Sequence, residues 1–508
     1  MIGFIDNLLN RITMYKLVLY YLMALSGIAV VLSFFGVLPY NPLGIIASIF
    51  FLNVLSWAFN IISAWWFKVP TNLESSYITA FILTLILTPI SGIDIKYFSF
   101  LLIVTVIAQA SKYIIAVHRK HIFNPAAIAV AITAFTITQS ASWWVGTTWM
   151  MPFVLVGGLL LVRKLRRFNL VLTFFAVAIV TVLGFGLANG TGIGISLRTI
   201  IFSSPLLFFG FVMLTEPLTT PPTKNLQIIY GALVGLLFAP QINVFSIYST
   251  PELALLVGNV FSYIVSPKKK LMLTLKQKIE VGKDTFNFVF SSDDKMKFTP
   301  GQYMEWTVGH DKPDNRGNRR YFTIASAPTE EEIIMGVKFY DPSSSFKKAL
   351  SEMKSGSQLL AGQLAGDFTL PANPQEKSVF IAGGIGVTPF RSMIKYLIDA
   401  KQQRDIVLFY SNNTEQEIVY KDIFDTAEQS IGLKTVYTLS DKTKVPANWK
   451  GDVGFVDAKM IAEKVPDYKD RLFYISGPHG MVTAFEKTLS EMSVPKSQIK
   501  VDFFPGYV

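Results

Sequence analysis

The chain has 508 residues, 51% of them apolar, and its 46 Lys+Arg against 35 Asp+Glu give a formal net charge of +11. It has no cysteine, which excludes disulfides and iron–sulfur clusters held by its own thiolates. The length is enough for several domains.

The charges divide the chain into two halves. Residues 1–265 hold 13 Lys+Arg and 5 Asp+Glu, whereas residues 266–508 hold 33 and 30. We therefore predict a membrane domain over 1–265, a basic linker over 266–272 and a soluble part from 273 onwards. Because most of the basicity belongs to membrane loops, we expect membrane lipid, and no nucleic acid, as a partner. The first apolar run is too long for a cleavable signal.

Apolar runs in the first half predict ten transmembrane helices. Eleven of the thirteen basic residues then fall on one side, and Lys96 and Arg198 on the other. The positive-inside bias predicts a multi-pass protein of the cell (inner) membrane, with the N-terminus and the following soluble part in the cytoplasm. The predicted spans are 16–37, 43–66, 76–91, 97–117, 124–140, 148–162, 168–188, 199–215, 226–240 and 251–265.

Two polar loops interrupt these spans, at residues 121–127 and 215–224. They resemble loops of the membrane subunit shared by the Rnf complex (its D subunit) and the sodium-pumping NADH:quinone reductase (its B subunit). The resemblance implies ten spans and a flavin, whose polar edge would contact Asn124, Thr215, Thr219 and Thr220. The alternative role of these four residues is to cap helix ends.

The same family attaches FMN covalently to a threonine in a loop between its fifth and sixth spans. The corresponding loop here contains Thr147 and Thr148 but lacks the family's acidic lead and alanine. We therefore predict FMN or riboflavin held without a covalent bond.

The soluble part begins with alternating strands, which predict an antiparallel β-barrel over 273–373. Within it, we predict a strand over residues 319–326, whose Arg320 suits a pyrophosphate, whose Phe322 offers a flat face and whose Thr323 offers a neutral hydroxyl. A surface strand with solvated arginines is the alternative. Ser344, Ser345 and Phe346 open a helix whose N–H groups suit a phosphate, with a plain serine cap as the alternative.

Residues 374–508 alternate apolar strands with helical patterns, which predicts a doubly wound α/β domain. The first strand runs into a glycine turn at residues 383–389 and then a helix. Glycines let backbone N–H groups approach a phosphate, and Pro389 suits the first helical turn.

These motifs resemble those of the ferredoxin–NAD(P)H reductase superfamily. Its flavin motif matches Arg320, Phe322, Thr323 and Ser326, and its nucleotide motif matches residues 383–389. Its Cys-Gly-Pro motif matches residues 476–478, with Ser476 in place of cysteine. The resemblance implies catalytic roles for Thr323 and Ser476 and no metal site.

The resemblance also implies two sets of binding residues. For FAD these are Arg320, Tyr321, Phe322, Thr323, Ser326, Ser344, Ser345, Phe346 and, in the terminal aromatic run, Phe504. For NAD(P)H they are Gly383, Gly384, Gly386, Thr388, Pro389, Ser411, Asn412, Gly477 and Pro478. Because Glu415 and no base follows the strand near Tyr410, NADH is favoured over NADPH.

We therefore predict a membrane flavoprotein oxidoreductase. NAD(P)H would reduce FAD, and electrons would pass through a membrane flavin to an acceptor protein or quinone, with other electron-transfer subunits as possible partners. NAD(P)H oxidases and ferric reductases share this layout, but His118 and His121 lie together, so the paired histidines of a haem relay are missing. The alternatives are a membrane-anchored NADH:quinone reductase and a nucleotide-gated transporter or channel.

Overall fold

The computed structural model describes residues 5, 9, 12–67, 73–117, 120–245, 247–266, 269–294, 296–310, 313–314 and 317–502. The chain forms two compact units, Met1–Lys269 and Lys270–Val508. Phe504, predicted to bind FAD, lies outside the described residues.

The first unit is helical. Three of its helices begin with a proline in the first turn, after a capping residue (Asn41, Asn124 or Thr250) whose side chain accepts a backbone N–H. The helices are α1 (Met14–Phe34), α2 (Pro42–Trp66), α3 (Leu73–Ile86), α4 (Ile95–Ile114), α5 (Pro125–Ile137), α6 (Met151–Leu165), α7 (Phe168–Ala188), α8 (Ile193–Phe202), α9 (Leu206–Met213), α10 (Lys224–Leu237) and α11 (Pro251–Val265).

The prediction of ten membrane spans is wrong. Among the described residues, four helices (α1, α2, α4 and α7) are long and apolar enough to cross a membrane. A fifth span results if α8 and α9, bent by 56° at their break, count as one. Helices α3, α5, α10 and α11 are apolar but shorter. At about 1.5 Å per residue, the 14 residues of α3 cannot match a hydrocarbon core about 30 Å thick.

The second unit begins with a six-stranded antiparallel sheet, as predicted for the flavin domain. Its strands are β1 (Leu271–Gly282), β2 (Thr285–Ser292), β3 (Tyr303–Thr307), β4 (Arg319–Thr323), β5 (Ile333–Lys338) and β6 (Gln358–Ala365), in the order β4-β3-β6-β1-β2-β5. Their inward residues, with Trp306 and Phe290 fully buried, form one core. Helix α12 (Ser345–Glu352) precedes β6 and buries Phe346 in that core.

A six-stranded parallel sheet follows, which confirms the predicted α/β fold. Its strands are β7 (Ser378–Gly383), β8 (Ile406–Asn412), β9 (Lys434–Leu439), β10 (Asp452–Val453), β11 (Leu472–Ser476) and β12 (Ile499–Asp502), in the order β10-β9-β8-β7-β11-β12. Every residue of β7 is buried, because helices cover both faces of a parallel sheet. The helices are α13 (Thr388–Asp399), α14 (Lys421–Ile431), α15 (Ala458–Lys464) and α16 (His479–Glu491).

Candidate active site

Strand β4 places Arg320 in a buried anion-binding position. Its Nη2 donates to Asp314 Oδ1 at 3.1 Å, and its Nη1 donates to the carbonyl oxygens of Gly317 and Arg319 at 3.0 and 2.7 Å. Its guanidinium also lies 5.3 Å from the centre of the Phe346 ring. A buried guanidinium that already holds a carboxylate has the geometry to hold a phosphate.

The start of α12 lies against the same anion. Ser344 is the N-cap, since its side chain accepts from Lys347 N. The backbone N–H of Ser345 donates to Asp314 Oδ2 at 3.3 Å. The Phe346 ring lies 5.8 Å from that of Phe322, at an angle of 31°. The structure therefore brings the predicted FAD residues Arg320, Phe322, Ser345 and Phe346 together.

Three further predicted flavin residues lie on or just after β4. Tyr321 donates its hydroxyl to Glu305 at 3.0 Å, and Ser326 Oγ accepts from Ile334 N at 3.0 Å, so both have structural partners. Thr323 differs, because its Oγ1 is buried and has no hydrogen-bond partner within the described part of the chain. A buried hydroxyl without a partner costs about 1–3 kcal/mol unless a ligand satisfies it.

The predicted nucleotide turn joins β7 to α13. Gly384 has φ +52°, a left-handed conformation that favours glycine. A Cβ on Gly386 would lie 2.5 Å from the carbonyl oxygen of Ser476 and 2.6 Å from Gly477 Cα. The turn at residues 383–387 and the segment 476–478 are thus in direct backbone contact, and Gly386 is required for it.

The segment 476–478 follows β11, the neighbour of β7. Ala382 and Ser476 are in register, so both turns lie at the carboxyl edge of the sheet, where open α/β sheets bind their ligands. Ser476 is completely buried, and its Oγ has no partner among the residues that the structure describes. Pro478 precedes α16 and lies near Gly383.

The other predicted nucleotide residues lie along the same edge. Ser411, near the end of β8, is in register with Gly383, and Asn412 beside it is buried. Thr388 donates to the carbonyl oxygen of Ile385 at 3.2 Å, and Pro389 occupies the first turn of α13.

Contacts that the sequence did not predict connect the two sheets. Arg391, on α13, donates to Ala325 O at 2.9 Å and forms a two-pronged ion pair with Glu330, with Nη2–Oε1 at 2.9 Å. Ser392 Oγ donates to Ser326 O at 2.7 Å. These bonds fix the segment after β4 to the helix that follows the glycine turn. Arg391 and Glu330 are 61 residues apart, so periodicity gives no signal for their pairing.

A buried tyrosine completes this junction. The Tyr420 hydroxyl donates to Asn287 Oδ1 at 2.6 Å, and a Cβ on Gly336 would lie 2.6 Å from the Tyr420 hydroxyl oxygen. Burial raises the pKa of Tyr420 above its usual range, so the phenol stays protonated.

In the helical unit, the predicted membrane-flavin residues surround Glu216. Asn124 Nδ2 donates to Glu216 Oε2 at 2.9 Å, and Thr219 Oγ1 donates to the same oxygen at 3.2 Å. His121 Nε2 lies 3.3 Å from Oε1, and Thr220 Oγ1 donates to the Glu216 carbonyl at 3.0 Å. We call these five residues the Glu216 cluster.

Neighbouring side chains extend this cluster. Asn124 Oδ1 caps α5 by accepting from two backbone N–H groups at 3.1 Å, and its own N–H donates to Asn259 Oδ1 at 2.9 Å. Thr215 Oγ1 donates to Phe211 O at 2.6 Å, and Arg167 donates to Thr215 O at 2.9 Å. The four predicted flavin residues therefore lie together, but their side chains bond to the protein itself.

Comparisons with known proteins match the second unit. The family model described as Oxidoreductase NAD-binding domain matches residues 380–487. NADH-cytochrome b5 reductase 1 of Mortierella alpina is 27% identical over 238 residues, which cover 46% of this chain and 78% of that protein. A stachydrine N-demethylase reductase subunit of Rhizobium meliloti is 26% identical, covering 44% of this chain and 64% of that protein. The FAD/NAD-binding domain of a Vibrio cholerae nitric oxide dioxygenase is 21% identical, with a TM-score of 0.41, covering 46% of this chain and 98% of that domain.

The second unit is thus an NAD(P)H-dependent FAD oxidoreductase of the electron-transfer class, with a ferredoxin–NAD(P)H reductase-like fold. The residues fit both cofactors. The hydrogen bonds to the Asp314 carboxylate show that Arg320 and the Ser345 N–H can bind an anion. The buried hydroxyls of Thr323 and Ser476 have no partner among the described residues, so a cofactor can supply one.

Proposed function

We propose that the chain is a membrane flavoprotein that carries electrons from cytoplasmic NADH, through FAD in the second unit, into the helical unit and on to a membrane or extracytoplasmic acceptor. The boundary between the two compact units falls between Lys269 and Lys270, inside the proposed linker 266–272, and supports a separate domain over 1–265. The two separate sheets of the second unit support its proposed division into 273–373 and 374–508. The four or five helices that can cross a membrane support the membrane placement.

In this function the second unit positions two cofactors. Arg320 and the Ser345 N–H would hold the FAD pyrophosphate, Phe322 and Phe346 would pack near the flavin, and the turn at residues 383–387 would receive the NADH phosphates. FAD, when bound, accepts a hydride and releases single electrons. Thr323 Oγ1 would donate to the flavin ring without adding charge, and the neutral Ser476 hydroxyl would lie beside the nicotinamide.

A transmembrane route requires a second carrier, because the hydrocarbon core is about 30 Å thick. We propose a flavin without a covalent bond in the helical unit, near the Glu216 cluster. The contacts of Asn124 and Thr219 with the Glu216 carboxylate, and of Thr220 with the Glu216 carbonyl, support this place. The mutual bonding of these side chains means that a flavin there would have to replace existing hydrogen bonds.

That mutual bonding also favours a second candidate, a membrane-anchored NADH:quinone reductase whose electrons do not cross. Helices α2 and α3 line an open, mostly apolar groove of about 530 Å³, a volume in the range of small-molecule sites that would hold a quinone ring. It is lined by Ile46, Ile49, Phe50, Asn53, Val54, Trp57, Tyr77 and Phe81.

The first experiment tests the flavin site. The full-length protein, purified with FAD, should lose its flavin absorbance when anaerobic NADH is added, with a higher kcat/KM for NADH than for NADPH. Arg320→Ala should retain much less FAD, since a buried charge-assisted contact is lost. Unchanged flavin content in this variant would refute the site.

The second experiment separates the two functions. The protein is placed in quinone-free vesicles that contain ferricyanide, and NADH is added outside. Reduction of the trapped ferricyanide supports transmembrane transfer. Reduction seen only after a quinone is added to the membrane favours the anchored reductase. A denaturing gel shows whether flavin fluorescence stays with the protein; a fluorescent band would contradict non-covalent binding.

A further inference from the structure

Asp314 lies in the polar loop that precedes β4, and its carboxylate bonds to the donors proposed for the FAD pyrophosphate. Arg320 Nη2 lies 3.1 Å from Oδ1 and 3.4 Å from Oδ2. The backbone N–H of Ser345, at the start of α12, donates to Oδ2 at 3.3 Å. One carboxylate therefore joins Arg320 of β4 to Ser345 of α12, two residues that are 25 positions apart in sequence.

A second set of contacts holds the loop in this position. The backbone N–H of Asp314 donates to Ser345 Oγ at 2.9 Å. His310 Nε2 lies 3.1 Å from the same oxygen, and His310 Nδ1 lies 3.0 Å from the carbonyl oxygen of Val308. Both the carboxylate and the backbone of Asp314 are thus bound to Ser345.

The Arg320 guanidinium and the Ser345 backbone N–H are donors of the two kinds that commonly bind phosphate groups in proteins. A guanidinium offers two parallel N–H groups, and the first N–H groups of a helix favour an anion. A carboxylate places two oxygens on such donors, much as two oxygens of a phosphate do. The donors cannot hold Asp314 and a phosphate at the same time, so a phosphate-bearing ligand must displace the carboxylate.

Burial makes this displacement feasible. The Arg320 side chain is 7% exposed, whereas that of Asp314 is 28% exposed. The arginine therefore stays in place inside the protein, while the carboxylate lies close to water and regains hydration when it leaves. A buried arginine without any anion would be costly, which gives Asp314 a role in the flavin-free protein.

We propose that Asp314 is an internal substitute for the flavin phosphate. It holds Arg320 and the Ser345 N–H in their binding arrangement and gives way when a phosphate-bearing flavin binds. Asp314 is thus a positioning residue that lowers the affinity for FAD and FMN and leaves that for riboflavin, which has no phosphate, unchanged. This inference rests on the proposed FAD site at Arg320.

The test compares three flavins on the flavin-free full-length protein. FAD, FMN and riboflavin are titrated by fluorescence, with wild type, Asp314→Asn and Asp314→Ala. Removing a competing charged hydrogen-bond partner should tighten FAD and FMN binding about tenfold in both variants and leave riboflavin binding unchanged. Asp470→Asn, which removes the same charge from an exposed turn, should change none of the three affinities.

Inorganic pyrophosphate is the second probe, and should compete with FAD more strongly in Asp314→Asn than in wild type. Unchanged or weaker FAD binding in both Asp314 variants, or equal tightening of riboflavin, would overturn the proposal. Arg320→Ala distinguishes failure of the proposed FAD site from failure of the role proposed for Asp314. If it leaves FAD affinity unchanged, the FAD site itself is wrong; if it weakens FAD binding while the Asp314 variants do not tighten it, only the substitute role fails.

Discussion

Polar side chains differ in their hydrogen bonding between the candidate active site of the second unit and the Glu216 cluster of the first unit. In the active site, the hydroxyls of Thr323 and Ser476 are buried without a partner among the described residues. In the Glu216 cluster, Asn124 and Thr219 both donate to one carboxylate. A buried hydroxyl without a hydrogen-bond partner is tolerated where a bound ligand supplies that partner. Side chains that already bond to one another stabilise the fold without a ligand.

The largest effect on activity is expected from adding a side chain at Gly386, where the nucleotide turn contacts the segment 476–478. Gly386→Ala places a methyl 2.5 Å from Ser476 O, which forces the two turns apart. A displacement of about 1 Å at a reacting centre can cost about 100-fold in rate. We expect NADH-dependent flavin reduction, followed by stopped flow, to fall by that factor while FAD content is retained. Gly480→Ala is the matched control, since its Cβ would meet nothing within 4 Å; equal loss in both variants would contradict the geometry.

Breaking the Glu216 cluster should lower stability without affecting flavin reduction in the second unit. Glu216→Ala removes the acceptor of Asn124 and Thr219, and we expect a loss of about 2 kcal/mol, seen as a lower melting temperature in detergent. Glu216→Gln keeps the shape and should lose less. If Glu216→Ala instead slows the NADH bleaching of FAD, the cluster acts in the reaction of the second unit.

A pair of identical substitutions compares the two regions directly. Thr323→Val removes a hydroxyl that has no partner within the described residues, so the melting temperature of the flavin-free protein should not fall. Thr219→Val removes a bond to Glu216 and should cost about 1 kcal/mol. With FAD bound, Thr323→Val alone should slow flavin reduction. Equal destabilisation by both changes would remove the distinction between the regions.

The smallest effect on stability is expected from the ion pair between Asp467 and Arg471, which lies just before strand β11. Hydrogen bonds from Arg471, at 2.7 and 3.0 Å, and from Lys377 hold the pKa of Asp467 well below its usual value. Because the folded-state pKa is depressed, the stabilisation is present above the unfolded pKa of about 3.9 and is lost as the pH falls through the folded value. Asp467→Asn should therefore cost about 1 kcal/mol near neutral pH. The difference in melting temperature between variant and wild type should begin to narrow below about pH 4 and keep shrinking as the pH falls towards the folded pKa; a constant difference would contradict the assignment.

The sequence predicted the second unit well because its signals are local. Apolar strands with a glycine turn indicate the parallel sheet, and the pattern of aromatic and β-branched residues indicates β4, where we propose that flavin binds. The span count failed because apolar composition does not show where a helix ends; α5, for example, stops at Thr138, which has φ +55°. The Arg391–Glu330 pair was missed because its members are 61 residues apart in sequence. Asp314 was missed because an acid in a polar loop resembles any solvated residue.

Side-chain bonds hold the two sheets of the second unit in alignment. They are the Arg391–Glu330 pair and the bond from Ser392 to Ser326. The peptide that connects the sheets includes residues 372–377, all exposed, whereas these side-chain bonds are buried or nearly so. The alignment is therefore a property of docking and not of chain connectivity. Lengthening the connecting peptide should be tolerated, and a chain cut there into two fragments should still assemble with its strand and turn in register.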